Sequence, residues 1–217
     1  MTVQDELTRR ATWQAALAEV VATAFLALAA LLSGGPFAVA LVLTVFVFVI
    51  GSISGASLNP AVTVGLVVAR HMSVAKGVLY IVAEVVGTFI ALAVAPLIHP
   101  LAASYAASSV GGEFFGFGIL MLAVLATVGG YLPKSASGLT IGGALLAGLL
   151  TTGGVLNPAV ALGLGVAGMA PWAIWAPIVG ALFFAAIFRA LAPFSAVGQL
   201  REVETPPTEL QSTKAAA

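Results

Sequence analysis

Apolar residues gather into six long stretches, at about 13–32, 36–53, 76–98, 113–132, 138–152 and 171–193, separated by short groups of Gly, Pro and charged residues. Each predicts a helix that crosses a membrane, because a hydrocarbon layer of about 30 Å needs roughly 20 residues at 1.5 Å of rise per residue. The fifth is short for that task unless its helix starts near Pro133. The first is too long for the apolar segment of a signal peptide and carries Glu19 within it.

Two further apolar segments, from Pro60 to Ala69 and from Pro158 to Ala167, would each make a helix of only about 15 Å, half of the hydrocarbon thickness. Laid over one another, SLNPAVTVGLVVA (57–69) and VLNPAVALGLGVA (155–167) agree at nine of thirteen positions. Glu19 precedes Asn59 by 40 residues, and Glu113 precedes Asn157 by 44, so the likeness extends beyond the short segments. The chain therefore reads as two copies of three spans plus one half-helix. Three spans is an odd number, so the second copy enters the membrane from the opposite face, giving an inverted repeat.

Charge agrees with this arrangement. With the N-terminus inside, Arg9, Arg10, Arg70, Lys76, Lys134, Arg189, Arg201 and Lys214 all fall on the cytoplasmic side, and the outer loops near 33–36, 99–112 and 151–156 hold no Lys or Arg. Such asymmetry is the positive-inside pattern. Composition sharpens the class: 61% of the 217 residues are hydrophobic and 7% charged, with net charge zero, which gives no basic surface for nucleic acid. The absence of cysteine excludes a disulfide, a thiol nucleophile and a thiolate metal site. No metal-ligand cluster or Ser-His-Asp grouping supports an enzyme, and no cofactor is expected. The expected fold is an all-α membrane protein of six transmembrane helices and two re-entrant half-helices. Residues 1–11 are expected to form a cytoplasmic N-terminus, 12–193 the membrane-spanning domain with repeats at about 12–99 and 112–193, and 194–217 a polar, Pro-containing cytoplasmic tail expected to be disordered.

The paired Asn-Pro steps now acquire a purpose. Asn is a preferred N-cap and Pro a preferred first helical residue. Half-helices entering from opposite faces bring both starts together near the midplane, where non-helical backbone is tolerated only if buried in protein or lining a cavity. Each helix start carries roughly half a positive charge, which repels cations, while the Asn amides offer donors to a neutral oxygen.

At these residues the sequence resembles the aquaporin and aquaglyceroporin, or major intrinsic protein, family, whose signature is a pair of NPA boxes. The likeness covers about residues 12–193, including SGASLNPAVT, AEVVATAFLAL, GEFFGFGILML and LTIGGALLAGL. It implies that Asn59, Pro60 and Ala61 with Asn157, Pro158 and Ala159 form the pore constriction, the two Asn side chains orienting the permeating molecule. It implies that Glu19 and Glu113 are buried and hold the re-entrant loops. It also implies a homotetramer, multi-pass in the cell (plasma or inner) membrane with both termini cytoplasmic, whose partners are small neutral solutes, water and the lipid bilayer.

Two positions depart from the family. Glu84, in YIVAEVVGTF of the third span, stands where a neutral polar residue is more usual; a third buried structural carboxylate is one reading and a pore role the other. Val160 follows the second box, where the family carries an arginine that narrows the pore and adds charge. The other filter positions transfer to Val39, Leu149 and about Gly154, so the filter has neither charge nor aromatic ring. A wider, more apolar mouth of this kind favours glycerol, urea, ammonia or metalloid hydroxy acids such as arsenous acid. A mainly water-selective pore and a proton-coupled secondary transporter are the alternatives. His71 and His99 read as interfacial residues, and Gly87, Gly116, Gly138, Gly142, Gly163 and Gly180 as close-packing positions between helices.

Overall fold

Each expected span is helical in the structure, a computed structural model that describes residues 7–33, 35–99 and 108–192. The helices are α1 (Arg10–Ser33), α2 (Pro36–Ile50), α3 (Pro60–Val68), α4 (Val74–Ile98), α5 (Val110–Val128), α6 (Ser137–Thr152), α7 (Pro158–Gly163), α8 (Val166–Met169) and α9 (Trp172–Leu191). A 3-10 turn at Lys134–Ala136 precedes α6, so that span begins just after Pro133 and reaches 19 residues. At 15 residues α2 is shorter than the expected 36–53. Beyond it the chain turns, Ser54 N–H donating to Ile50 O and Gly55 taking φ +99°, a left-handed value that suits glycine. The expected tail 194–217 and most of the N-terminal segment 1–11 lie outside the described residues.

Local chemistry explains the helix ends. Asn59 caps α3 through its side-chain oxygen, which accepts from Ala61 N–H at 2.9 Å, and Pro60 occupies the first turn. Ser73 and Ser109 cap α4 and α5 in the same way, accepting from Lys76 N–H and Gly112 N–H. The second half-helix departs from the expected Pro158–Ala167: it stops at Gly163, Gly165 takes φ +70°, and α8 adds one separate turn. Gly165 stands where the first copy has Val67, and a β-branched residue resists the left-handed region that glycine adopts freely.

Packing follows the two-copy pattern. α1 lies along α4 and α2, and α5 correspondingly along α9 and α6, while α2 and α6 meet each other between the copies. Each half-helix packs against the third span of its own copy and that of the other: α3 against α4 and α9, α7 against α9 and α4. Glycines permit the closest approaches. At Gly87 a Cβ would run into Val20 O of α1, at Gly142 into Thr44 of α2, and at Gly163 into Thr88 of α4. Gly116, Gly138 and Gly180 likewise face Thr152 and Leu156, the Phe48 ring, and Phe114 with Phe117. Small residues at helix seams are the usual way of tightening contacts in lipid, where burial of apolar surface supplies no driving force between helices.

The outward faces are apolar. Trp13, Leu17, Val21 and Phe25 recur every four residues along the exposed side of α1, and Val74, Val78, Val82 and Val86 do the same on α4. A surface of this kind is matched to hydrocarbon and not to water. The topology is checked with single cysteines in this cysteine-free chain. Exposed Gly111→Cys, whose Cβ would meet only Ser109 Oγ at 4.0 Å, is expected to react with an impermeant reagent from outside, and exposed Ser135→Cys only after the membrane is opened; the reverse pattern would invert the orientation.

Candidate functional site

The two Asn-Pro starts meet. Asn59 Nδ2 donates to Leu156 O at 2.8 Å, and Asn157 Nδ2 donates to Leu58 O at 2.9 Å, so each amide binds the backbone carbonyl that precedes the other box. Asn157 Oδ1 accepts from Ala159 N–H at 3.0 Å and Val160 N–H at 3.3 Å, as Asn59 Oδ1 does from Ala61. A side-chain amide has two N–H donors. One is engaged across the repeat axis, and both side chains line the same cavity.

Holding carbonyls in that reciprocal arrangement requires unusual backbone. Leu58 has φ 50° and Leu156 φ 59°, left-handed values that cost a side-chain-bearing residue about 1–3 kcal/mol each. Two fully buried carboxyl groups support them. Glu19 Oε1 accepts from Ser57 N–H at 3.1 Å and its Oε2 from Leu58 N–H at 2.8 Å. Glu113 accepts from Val155 N–H and Leu156 N–H, both at 2.8 Å. The Ser108 hydroxyl also donates to Glu113, and Trp172 Nε1 donates to Ser108 O, which ties the start of α9 to this clamp. On the first loop the matching outer tie is Tyr80, whose hydroxyl donates to Ser54 O at 2.8 Å.

Glu84 is fully buried beside the first clamp and not in the cavity wall. Its Oε1 lies within hydrogen-bond distance of Ser57 Oγ, at 2.8 Å, and of Thr63 Oγ1, at 2.7 Å. Ser57 belongs to both settings, since it bonds the carboxyl groups and also lines the cavity.

The cavity is narrow and mainly apolar. Val39, Leu149 and Val160 line it, together with Leu26, Leu43 and Val124. Gly154 does not: its missing side chain would point at Leu156 and the Glu113 carboxyl, behind the wall, and Val155 lines the cavity in its place. The cavity volume is about 20 Å³, room for the order of one water molecule. A larger cavity of about 380 Å³ adjoins it, sharing Ala56, Ser57 and Val62, and opens toward Lys134, which among the described residues is the one charged side chain lining either. His71 lies in the loop between α3 and α4, and His99 caps the end of α4. Among the described residues no group of three His, Cys, Asp or Glu could hold a metal ion.

Sequence reasoning placed the Asn pair and the glutamates but missed Ser57, Thr63, Tyr80, Ser108 and Trp172, whose roles depend on hydrogen bonds between segments as far as 64 residues apart. The Glu113 clamp is tested by Glu113→Ala. The change leaves two buried backbone N–H groups without acceptors, at about 1–3 kcal/mol each. Folded, monodisperse yield is expected to drop well below wild type, with Glu113→Gln intermediate because one oxygen acceptor remains. A Glu113→Ala protein as stable as wild type to heating would show that the clamp does not hold the loop.

Comparison with known proteins agrees with this architecture. Residues 6–191 match the family model described as Major intrinsic protein. The chain is 32% identical over 163 residues to a probable TIP-type aquaporin of Medicago truncatula, a match covering 65% of this chain and 64% of that protein. It is 30% identical over 219 aligned positions to Aquaporin TIP1-1 of Arabidopsis thaliana, covering 81% and 86% respectively. The match thus spans slightly less than two thirds of the Medicago relative's length and most of the Arabidopsis one. Among solved structures, the aquaglyceroporin of Plasmodium falciparum superposes with a TM-score of 0.63 at 21% identity, covering 88% of this chain and 97% of that one, a likeness of fold. The chain belongs to the major intrinsic protein family, that of the aquaporins.

Proposed function

We propose that the protein is a membrane channel for passive flux of small neutral solutes, among them glycerol-like polyols, metalloid hydroxy acids such as arsenous acid, and water. The observation that carries this reading is the pair of Asn59 and Asn157 side chains, which line the same narrow cavity and are each held by a bond from Nδ2 to the opposite loop. A hydroxyl or water oxygen entering between them would accept hydrogen bonds from donors whose positions are set by their other bonds. The positive ends of α3 and α7 face the same point, and the wall offers no carboxylate. A cation would lose its hydration shell without compensation there, at a cost far above that of a neutral molecule.

Selectivity among neutral solutes is assigned to Val39, Leu149, Val155 and Val160. An apolar ring at the second box replaces little of a solute's lost hydration. It therefore favours molecules with apolar flanks or weak hydration over water itself. A second reading has an observation of its own: a cavity of about 20 Å³ is water-sized, which favours a mainly water-conducting pore unless the Val and Leu side chains yield. The channel is read as multi-pass in the cell membrane, with both termini cytoplasmic, and as a homotetramer.

Stopped-flow light scattering on proteoliposomes separates these possibilities. Wild type is expected to pass glycerol and arsenous acid readily relative to water, with flux linear in the gradient; saturable uptake driven by a pH difference would indicate a transporter. Val160→Arg introduces a planar cation with five donors. It is expected to shift the permeability ratio toward water by roughly tenfold or more, the order that one charge-assisted hydrogen bond of about 1.5–3 kcal/mol supplies. Val160→Ala is expected to move the ratio the other way. A wild type that conducts water and neither solute, with a ratio unaltered by both substitutions, would remove position 160 from the filter.

A further inference from the structure

Between α1, α3 and α4, directly behind the cavity wall, four oxygen-bearing side chains lie closer together than their hydroxyl hydrogens account for. Ser57 Oγ, Thr63 Oγ1 and Glu84 Oε1 form a closed triangle with edges of 2.8, 2.7 and 2.9 Å. A fourth contact joins Ser57 Oγ to Glu19 Oε2 at 3.3 Å. Glu19, Thr63 and Glu84 are fully buried and Ser57 nearly so. Each such contact is favourable only with a hydrogen between the two oxygens. Four contacts exist, and the Ser57 and Thr63 hydroxyls bring two hydrogens.

An acid proton on Glu84 supplies a third, leaves only the Thr63–Ser57 edge without a hydrogen of its own, and orders the chain. Thr63 then donates to Glu84, Glu84 to Ser57, and Ser57 to Glu19, whose two oxygens already accept from Ser57 N–H and Leu58 N–H and which is thus the natural ionised end. The surroundings supply no compensating cation. α1 faces the cluster with Glu19 and Thr23, and α3 and α7 bring no titratable residue. Tyr80 on α4 donates to Ser54 O, Lys76 sits over the Tyr80 ring at 4.9 Å, and Arg70 and His71 are exposed beyond the end of α3. Two carboxylates separated by one hydroxyl would repel each other in this setting.

We propose that Glu84 is a neutral carboxylic acid whose proton exchanges with the cavity through Ser57, and that this proton holds the first Asn loop in its conducting shape. Ser57 is the coupling element, since it lines the cavity, contacts both carboxyl groups and lies two residues before Asn59. When Glu84 ionises, both hydroxyls turn to it as donors, Ser57 releases Glu19, and a second negative charge enters the clamp that supports Leu58. Flux is therefore present at neutral pH and falls as pH rises. Only this flux consequence rests on the channel reading; the location of the proton does not.

Infrared spectroscopy of the purified full chain in lipid reads the proton without reference to transport. At neutral pH the wild type is expected to show the C=O stretch of a buried carboxylic acid, absent in Glu84→Gln. In Thr63→Val, which folds with one hydroxyl fewer and so stabilises the ionised form less, the band is expected to persist to higher pH. In proteoliposomes wild-type glycerol or water flux is expected to fall severalfold over the pH interval in which the band disappears, and the flux of Glu84→Gln to be independent of pH. A wild type without the band, a band that survives in Glu84→Gln, or a wild-type flux that stays constant while the band is lost would each overturn the proposal. A wild type with no flux at any pH would overturn the channel reading instead, while the infrared comparison still decides where the proton sits.

Discussion

Backbone in the middle of a bilayer has no water to bind, so every N–H and C=O that leaves a helix there must find a partner within the protein. The two loops before Asn59 and Asn157 meet this constraint with the same device. A carboxyl group from the first helix of each copy, Glu19 or Glu113, takes two consecutive N–H groups, and the Asn of the other copy takes the carbonyl between them and the box. Without the carboxyl groups the left-handed Leu58 and Leu156 would be strained and unsatisfied at once. Without the reciprocal Asn bonds the half-helices would have no reason to meet end to end.

The clamp also accounts for an apolar cavity that keeps a few polar side chains, those of Asn59, Asn157 and Ser57. Its polar groups are nearly all occupied by one another, so the lumen retains a minimum of donors whose direction is set by bonds behind them. Under the proposed channel function a solute would meet fixed dipoles in place of mobile side chains, which lowers the reorganisation needed to accept it. Close helix contacts at Gly87, Gly142 and Gly163 keep that scaffold rigid by bringing backbone against neighbouring helices.

The two copies are not equal. Glu113 is reinforced by Ser108 and, through it, Trp172, whereas Glu19 is joined through Ser57 to a second carboxyl group, Glu84. The half-helices differ as well, α3 running through nine residues and α7 breaking after six. An inverted repeat thus carries one carboxyl clamp reinforced by a hydroxyl and an indole, and one joined through a hydroxyl to a second buried carboxyl group.

The amino-acid sequence alone determined the spans, the two-copy organisation and the pairing of the Asn-Pro boxes, because these rest on hydrophobic length, on repeated local capping signals and on charge placement, all of which are written in consecutive residues. Even the break in α7 is legible in Gly165, which replaces Val67 of the first copy. Tertiary structure decided what depends on the direction of a side chain in a segment with no periodicity. That Val155 and not Gly154 lines the cavity follows from the left-handed turn at Leu156 and the pull of Glu113 on two successive N–H groups. That Glu84 reaches Ser57 and Thr63 follows from the packing of α4 against α3, which brings together hydroxyls 27 and 21 residues away in the chain. Helical periodicity projects only along one element, and these contacts exist only between elements, so no reading of consecutive residues contains them.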